Sequence, residues 1–196
     1  VAVGPCDGLG RLPAEVVSRA ADQLAAAGVT VVCLPQGACG ASDRPDGTAP
    51  VRLLRAAGVR VTAGSGALRD VSNPVGRGDP LEAAYLLASR HGLRPGEAYD
   101  AVSAAARAAL GLPEVRVEAG FPAELVAVRG DRLAGALSLA YSRIVVHQGR
   151  VVARTSAVRE YGDSSTAPDL GLPRQGRSGR GRPDGLGGQG GPSDTA

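Results

Sequence analysis

Apolar positions along the chain change period several times, and each change marks an element. In residues 13–28, PAEVVSRAADQLAAAG, Val16, Val17, Ala20, Leu24 and Ala27 recur at helical spacing. Pro13 suits a first turn and Gly28 a C-cap. The next stretch, VTVVCLP (29–35), is a continuous β-branched run, the pattern of a strand covered on both faces in a parallel sheet. A long loop, QGACGASDRPDGTAP, separates it from a short helix at 51–58 and a further strand, VRVTAG, at 59–64. A loop of that length inside a compact domain is commonly functional. Helix, strand, loop, helix, strand is the grammar of an α/β fold with a parallel sheet.

The pattern then shifts. Two helices are predicted over 79–92 and 95–111, the first with Asp79 as N-cap, Pro80 at N1 and Glu82 at N3. Alternating segments follow: AELVAVRG (123–130), then SRIVVHQGRVVART (142–155), a hairpin turning at His147 to Gly149. From about Gly162 apolar residues nearly vanish and the chain reads as a disordered tail.

Composition narrows the functional classes. Hydrophobic residues make up 43% of the 196 positions but aromatics only 3%, so the core must be built from Ala, Val and Leu. All 22 basic residues are Arg and there is no Met, which we read as the mark of a GC-rich bacterial genome. With no initiator Met, the sequence is expected to be a fragment. The net charge of +3 is small. The tail's four Arg are balanced by four Asp, and no helix face gathers Arg, so a nucleic-acid partner is not expected. No apolar run reaches the roughly 18 residues of a membrane span, and residues 1–13 lack the features of a secretion signal; a cytoplasmic location is expected. Cys6, Cys33 and Cys39 form no metal-ribbon or disulfide spacing and read as free thiols. His91, at a helix end, and His147, at a hairpin tip, lie in unrelated elements and read as structural. Neither GPCDGLG nor GSGALRD completes a dinucleotide or phosphate-loop motif.

Taken in order, the segments resemble the C-terminal half of the amidohydrolase superfamily, close to its cytosine deaminase branch, over roughly residues 5–155. LPAEVVSRAADQLAAAGVTVVCLP and TAPVRLLRAAGVRVTAGSG are similar to the late helices and strands of that family's barrel. Residues 119–126, Ala-Gly-Phe-Pro-Ala-Glu-Leu-Val, resemble its turn into a small β-domain, usually Ala-Gly-x-Pro-Ala-Asp-Leu-Val. The resemblance implies the C-terminal half of a (β/α)8 TIM barrel with its C-terminal helices over 1–113, part of a β-sandwich over 114–161, and the tail over 162–196. It implies hydrolysis of non-peptide C–N bonds, such as ring deamination, by a Zn- or Fe-type divalent metal at the strand ends.

Here the sequence departs from the family. Its first-strand His-x-His pair has no counterpart in this chain, Pro5 falls where a later His is expected, and Gly66 falls where the last-strand Asp is expected. Neither has a side chain that binds metal, so no cofactor is expected in this chain by itself. Asp70 matches a second Asp of the family's Ser-Asp-x-x-Arg-Asp run. A shift of four residues puts its carboxylate too far away to replace the first. Gln36, Ser65 and Asp70 are the candidate contacts for a small heterocyclic or amide ligand, with ordinary loop polarity as the competing reading. Two functions stay open: a C–N hydrolase, and a non-catalytic remnant that binds a ligand or partner. A third possibility is an unrelated doubly wound α/β domain. Exposed barrel edges predict a homo-oligomer or a partner chain.

Overall fold

The computed structural model describes residues 1–37, 48–66, 68–71, 73–138 and 142–156, all within one compact unit, Val1–Ala157. Cys39, most of the long loop and the tail predicted over 162–196 lie outside the described residues.

Three strands form a parallel sheet in the order β1 (Ala2–Val3), β2 (Thr30–Cys33), β3 (Arg60–Ala63). The register pairs Ala2 with Thr30 and Thr30 with Arg60, so the strands start level and end on one side. Helix α1 (Ala14–Ala26) connects β1 to β2, and α2 (Val51–Ala56) precedes β3. This is the expected alternation of helices with parallel strands. In β2, Thr30, Val31 and Cys33 are buried, as the continuous apolar run predicts for a strand covered on both sides. The inward stripe of α1 runs through Val17, Ala21 and Leu24, whereas Ala27, expected to face inward, is exposed. Ala27 is the C-cap residue, where the chain is already leaving the helix toward Gly28.

Helix α3 (Pro80–His91) begins as expected: the Asp79 carboxylate accepts from the Leu81 backbone N–H at 3.0 Å and Pro80 occupies the first turn. Gly92 ends it in the left-handed region at φ 68°. The single helix predicted over 95–111 is two, α4 (Pro95–Val102) and α5 (Ala104–Ala109). Ser103 breaks it at φ −122°, ψ −99°, and its hydroxyl donates to the Tyr99 carbonyl at 2.7 Å. A serine hydroxyl gives the backbone a local alternative to continuing the helix. Leu87 of α3, Ala98 and Ala101 of α4, and Leu54 of α2 are almost fully buried together with Val31 and Cys33 of β2. The core is accordingly small-residue and aliphatic.

A second sheet is antiparallel, β4 (Leu125–Val128), β5 (Arg143–His147) and β6 (Arg150–Thr155). The β5–β6 loop is two residues, Gln148 and Gly149, at φ 49° and 75°. Positive φ at both central positions is what a type I′ hairpin turn requires. A bulge lies between Val145 and Val146, leaving Val152 as the extra residue on β6. Between β4 and β5 lies α6 (Leu133–Ser138), which the apolar pattern did not predict; its Leu137 is buried against α3 and α4. Arg143, opening β5, grips Asp79 through two hydrogen bonds, at 3.0 and 2.6 Å, and so ties this sheet to the start of α3.

Candidate ligand site at the strand ends

Catalytic and binding groups of parallel barrels stand at the carboxyl ends of the strands. In this chain Pro5 follows β1, Gln36 follows β2, and Ser65 and Gly66 follow β3. The two sheet-end positions where the family resemblance calls for metal-binding side chains are thus a proline and a glycine.

Gly66 is more than a missing side chain. Its φ of 75° lies in the left-handed region, and a Cβ placed there would run into the Gly37 carbonyl oxygen and come within 2.7 Å of the Leu34 Cβ. The backbone after β2 therefore occupies the volume an aspartate side chain would leave through. Gly64 is tight as well, its Cβ position 3.3 Å from Leu34 Cδ2. The glycine at this position and the close approach of the 34–37 segment are one structural fact.

The three candidate contacts separate into different roles. Asp70 is a loop organiser. Its Oδ1 accepts from the Asn73 backbone N–H at 2.9 Å, and its Oδ2 from that of Leu68 at 3.4 Å. Asn73, which sequence reasoning overlooked, carries this order to the strand end: its Nδ2 donates to the Gln36 carbonyl at 3.1 Å and its Oδ1 accepts from Val75 N–H at 3.3 Å. The signal that could have found it is the Asn-Pro step at 73–74, a turn initiator. Gln36 and Asp70 are thus brought together through Asn73. Ser65 is half-buried between Gly64 and Gly66.

Gln36 differs from both. Its Oε1 and Nε2 are buried and, among the described residues, neither has a hydrogen-bond partner. Burying a polar group unpaired costs about 1–3 kcal/mol, so nearly all such groups in folded proteins are satisfied.

Burial shifts the ionisable groups nearby. Burial pushes the Cys33 thiol up to about 12, and its Sγ donates to the Thr62 carbonyl at 3.2 Å. Burial also raises Cys6, with the Asp7 carboxylate adding to the effect. Asp7 is itself raised by burial, although the Ala49 N–H that it accepts at 3.2 Å and Arg11 both oppose this. Among the described residues no three His, Cys, Asp or Glu side chains converge in a way that could hold a metal ion. The donor set of the described residues therefore does not by itself fit the divalent metal that the family resemblance implies.

The two histidines have the structural settings expected of them. His91 closes α3, and His147 Nδ1 lies 2.7 Å from Glu124 Oε2, whose other oxygen accepts from Gln148 N–H at 3.1 Å. The hydrogen bond with His147 is the main cause of the lowered Glu124 pKa. Glu124 stands where the family's turn normally has Asp, and it clasps the hairpin tip to the chain before β4. No helix among the described residues is long and apolar enough to cross a membrane.

Comparison with known proteins agrees with this architecture. A family model described as "Amidohydrolase family" matches residues 3–153. A pterin deaminase from Rhizobium rhizogenes is 32% identical over 168 residues, covering 79% of this chain and 38% of its own length. The crystal structure of N-isopropylammelide isopropylaminohydrolase from Burkholderia multivorans superposes with a TM-score of 0.64 at 29% identity, covering 79% of this chain and 39% of that one. That of 5-methylcytosine deaminase from Klebsiella pneumoniae, liganded with phosphonocytosine, gives 0.66 at 20% identity, covering 83% and 42%, and speaks to the fold. The chain spans about two fifths of the length of these relatives, so its three parallel strands and their helices correspond to part of a TIM barrel. A family match across most of the chain, joined to a partial barrel of the matching fold, identifies the chain as a member of the amidohydrolase family.

Proposed function

We propose that this chain is the ring-recognising part of a cytosine-deaminase-like amidohydrolase, binding a small nitrogen heterocycle at the carboxyl ends of β2 and β3 without holding a catalytic metal through its own residues. The observation that carries the reading is Gly66. A left-handed glycine walled by the Gly37 carbonyl stands at the strand end where the family's metal-binding carboxylate is expected. The names of the relatives, a pterin deaminase and a 5-methylcytosine deaminase among them, supply the ligand class.

A second reading is hydrolysis of a ring C–N bond in a longer protein, with ligands and water activation supplied by residues outside this chain. The extent of the match, about two fifths of the relatives' length, favours it. Under either reading the outer strands need cover. Among the described residues, β1 and β3 each have one side unpaired, and parallel sheets are normally protected on every side. A second copy or an adjoining segment would supply that protection.

Native mass spectrometry of the protein from its source, with metal analysis and an ammonia-release assay on cytosine and pterin, separates the two. A metal-free chain near 19.6 kDa that binds a ring and releases no ammonia supports the first reading. A longer chain with stoichiometric metal and turnover establishes the second, and a 196-residue chain that holds metal and turns over would sink the first.

A further inference from the structure

The buried Gln36 carboxamide is the polar feature at the strand ends that the fold itself leaves unexplained. Glutamine Oε1 is an acceptor and Nε2 a donor, side by side on one plane. Here both are withdrawn from solvent and unpartnered among the described residues. The main chain at the same residue is fixed, because its carbonyl accepts from Asn73 Nδ2, and Asn73 is in turn positioned by Asp70. The adjoining Gly37 carbonyl presses against the Gly66 position, so the end of β2 lies directly beside the end of β3. A flexible polar side chain is thus anchored by its own backbone at the end of the middle strand, with its amide left over. A leucine would fill that space without the desolvation cost.

We propose that the Gln36 carboxamide, unpaired where it is buried, turns outward to read the lactam or amidine edge of the bound heterocycle, pairing its donor and acceptor with one acceptor and one donor on the ring. This rests on the ring-binding reading above. Cytosine and pterin both present such an edge, a ring nitrogen flanked by an exocyclic oxygen or amine. Pyrimidine, which has no exocyclic group, does not. The amide supplies recognition only, since a carboxamide neither moves a proton nor activates water near neutral pH.

The test uses the 15N-labelled 196-residue chain, with the Gln36 Nε2 resonances assigned by their loss in Gln36→Leu. Cytosine, pterin and pyrimidine are titrated separately. The expected result is that cytosine or pterin shifts the Gln36 side-chain resonances and pyrimidine does not, and that Gln36→Leu weakens ring binding by about tenfold or more. Without a ring, Gln36→Leu should melt about 2–4 °C higher, because it removes an unpaired buried amide. Gln36→Glu keeps the shape and the acceptor but loses the donor; it should also bind more weakly, and it decides the matter if the leucine variant fails to fold. A ring that binds wild type and Gln36→Leu equally overturns the assignment while leaving the ring-binding reading intact, with an internal water as the amide's partner. If neither cytosine nor pterin binds wild type at millimolar concentration, both fail.

Discussion

Gly66 decides what substitution can and cannot restore. Replacing it with aspartate would supply the carboxylate that the family resemblance calls for, but the new Cβ meets the Gly37 carbonyl and must be held at φ 75°. A non-glycine residue in the left-handed region costs about 1–3 kcal/mol, before any clash. Gly66→Ala and Gly66→Asp should both therefore lower the thermal midpoint, the aspartate by at least as much, and Gly66→Asp with Pro5→His should take up no metal by equilibrium dialysis. The sequence alone places a glycine where the family resemblance calls for a carboxylate; it does not show that the neighbouring chain approaches that position, because that depends on residues 34–37. Gln36 illustrates the same limit. Its polarity marks it as a candidate, but its unsatisfied burial is a property of packing. Asp70 was legible as a loop residue, while its work through Asn73 was not. Cys33 offers another test: buried, with its thiol pushed up to about 12, it should resist alkylation at pH 8 in the folded chain and react fully once unfolded, as peptide mapping would show.

Among the elements, those with one strong periodic signal are where the sequence places them. The α3 start is the clearest case, since Asp79, Pro80 and the periodic leucines all point to the same helix. Two elements were misread for local reasons. The alanine-rich run 95–111 carries helix propensity throughout, and nothing in its period announces the break at Ser103. Helix α6 is six residues long and contains Gly135, too short and too weak a pattern to register, and it holds because Leu137 is buried by α3 and α4. The β5–β6 turn was legible in place, though its geometry depends on a residue poorly suited to it. Gln148 sits at φ 49°, where asparagine is far more at ease. Gln148→Asn should stabilise the hairpin by a few tenths of a kcal/mol, visible as a small rise in melting temperature, because the backbone N–H that meets Glu124 is retained.

At the scale of the whole molecule, the Asp79–Arg143 pair joins residues 64 apart in sequence and holds the antiparallel sheet to the helical layer. Its two hydrogen bonds are charge-assisted and partly shielded, with side-chain exposures of 25% for Arg143 and 17% for Asp79. Removing the partner with Arg143→Leu should cost about 1–3 kcal/mol. Arg143 lowers the Asp79 pKa below its ordinary 3.8. The contribution is therefore fully present above that value and is lost as pH falls through the lower folded value. The stability gap between wild type and Arg143→Leu should accordingly be constant from pH 5 to 8 and shrink in acid; a gap that is unchanged at pH 2 would show that the pair contributes packing and not charge. The unpaired sides of β1 and β3 lead to a second expectation at this scale, that the chain alone self-associates in sedimentation velocity experiments as its concentration rises.

The same clasp has a mechanical consequence. Thr155, the last residue of β6, pairs with Arg143, the residue that holds Asp79. A pull applied beyond Thr155 loads that pair first and then runs along β6 toward the Gln148–Gly149 turn, breaking one rung at a time, while β5 stays anchored at its own start. The hairpin thus behaves as a fuse: its outer strand peels at low force and the tension is spent before it reaches α3. In a force-clamp experiment, Arg143→Leu should leave the peeling of β6 stepwise, because β5 is still paired along its other edge with β4, and should lower the force at which β5 follows it.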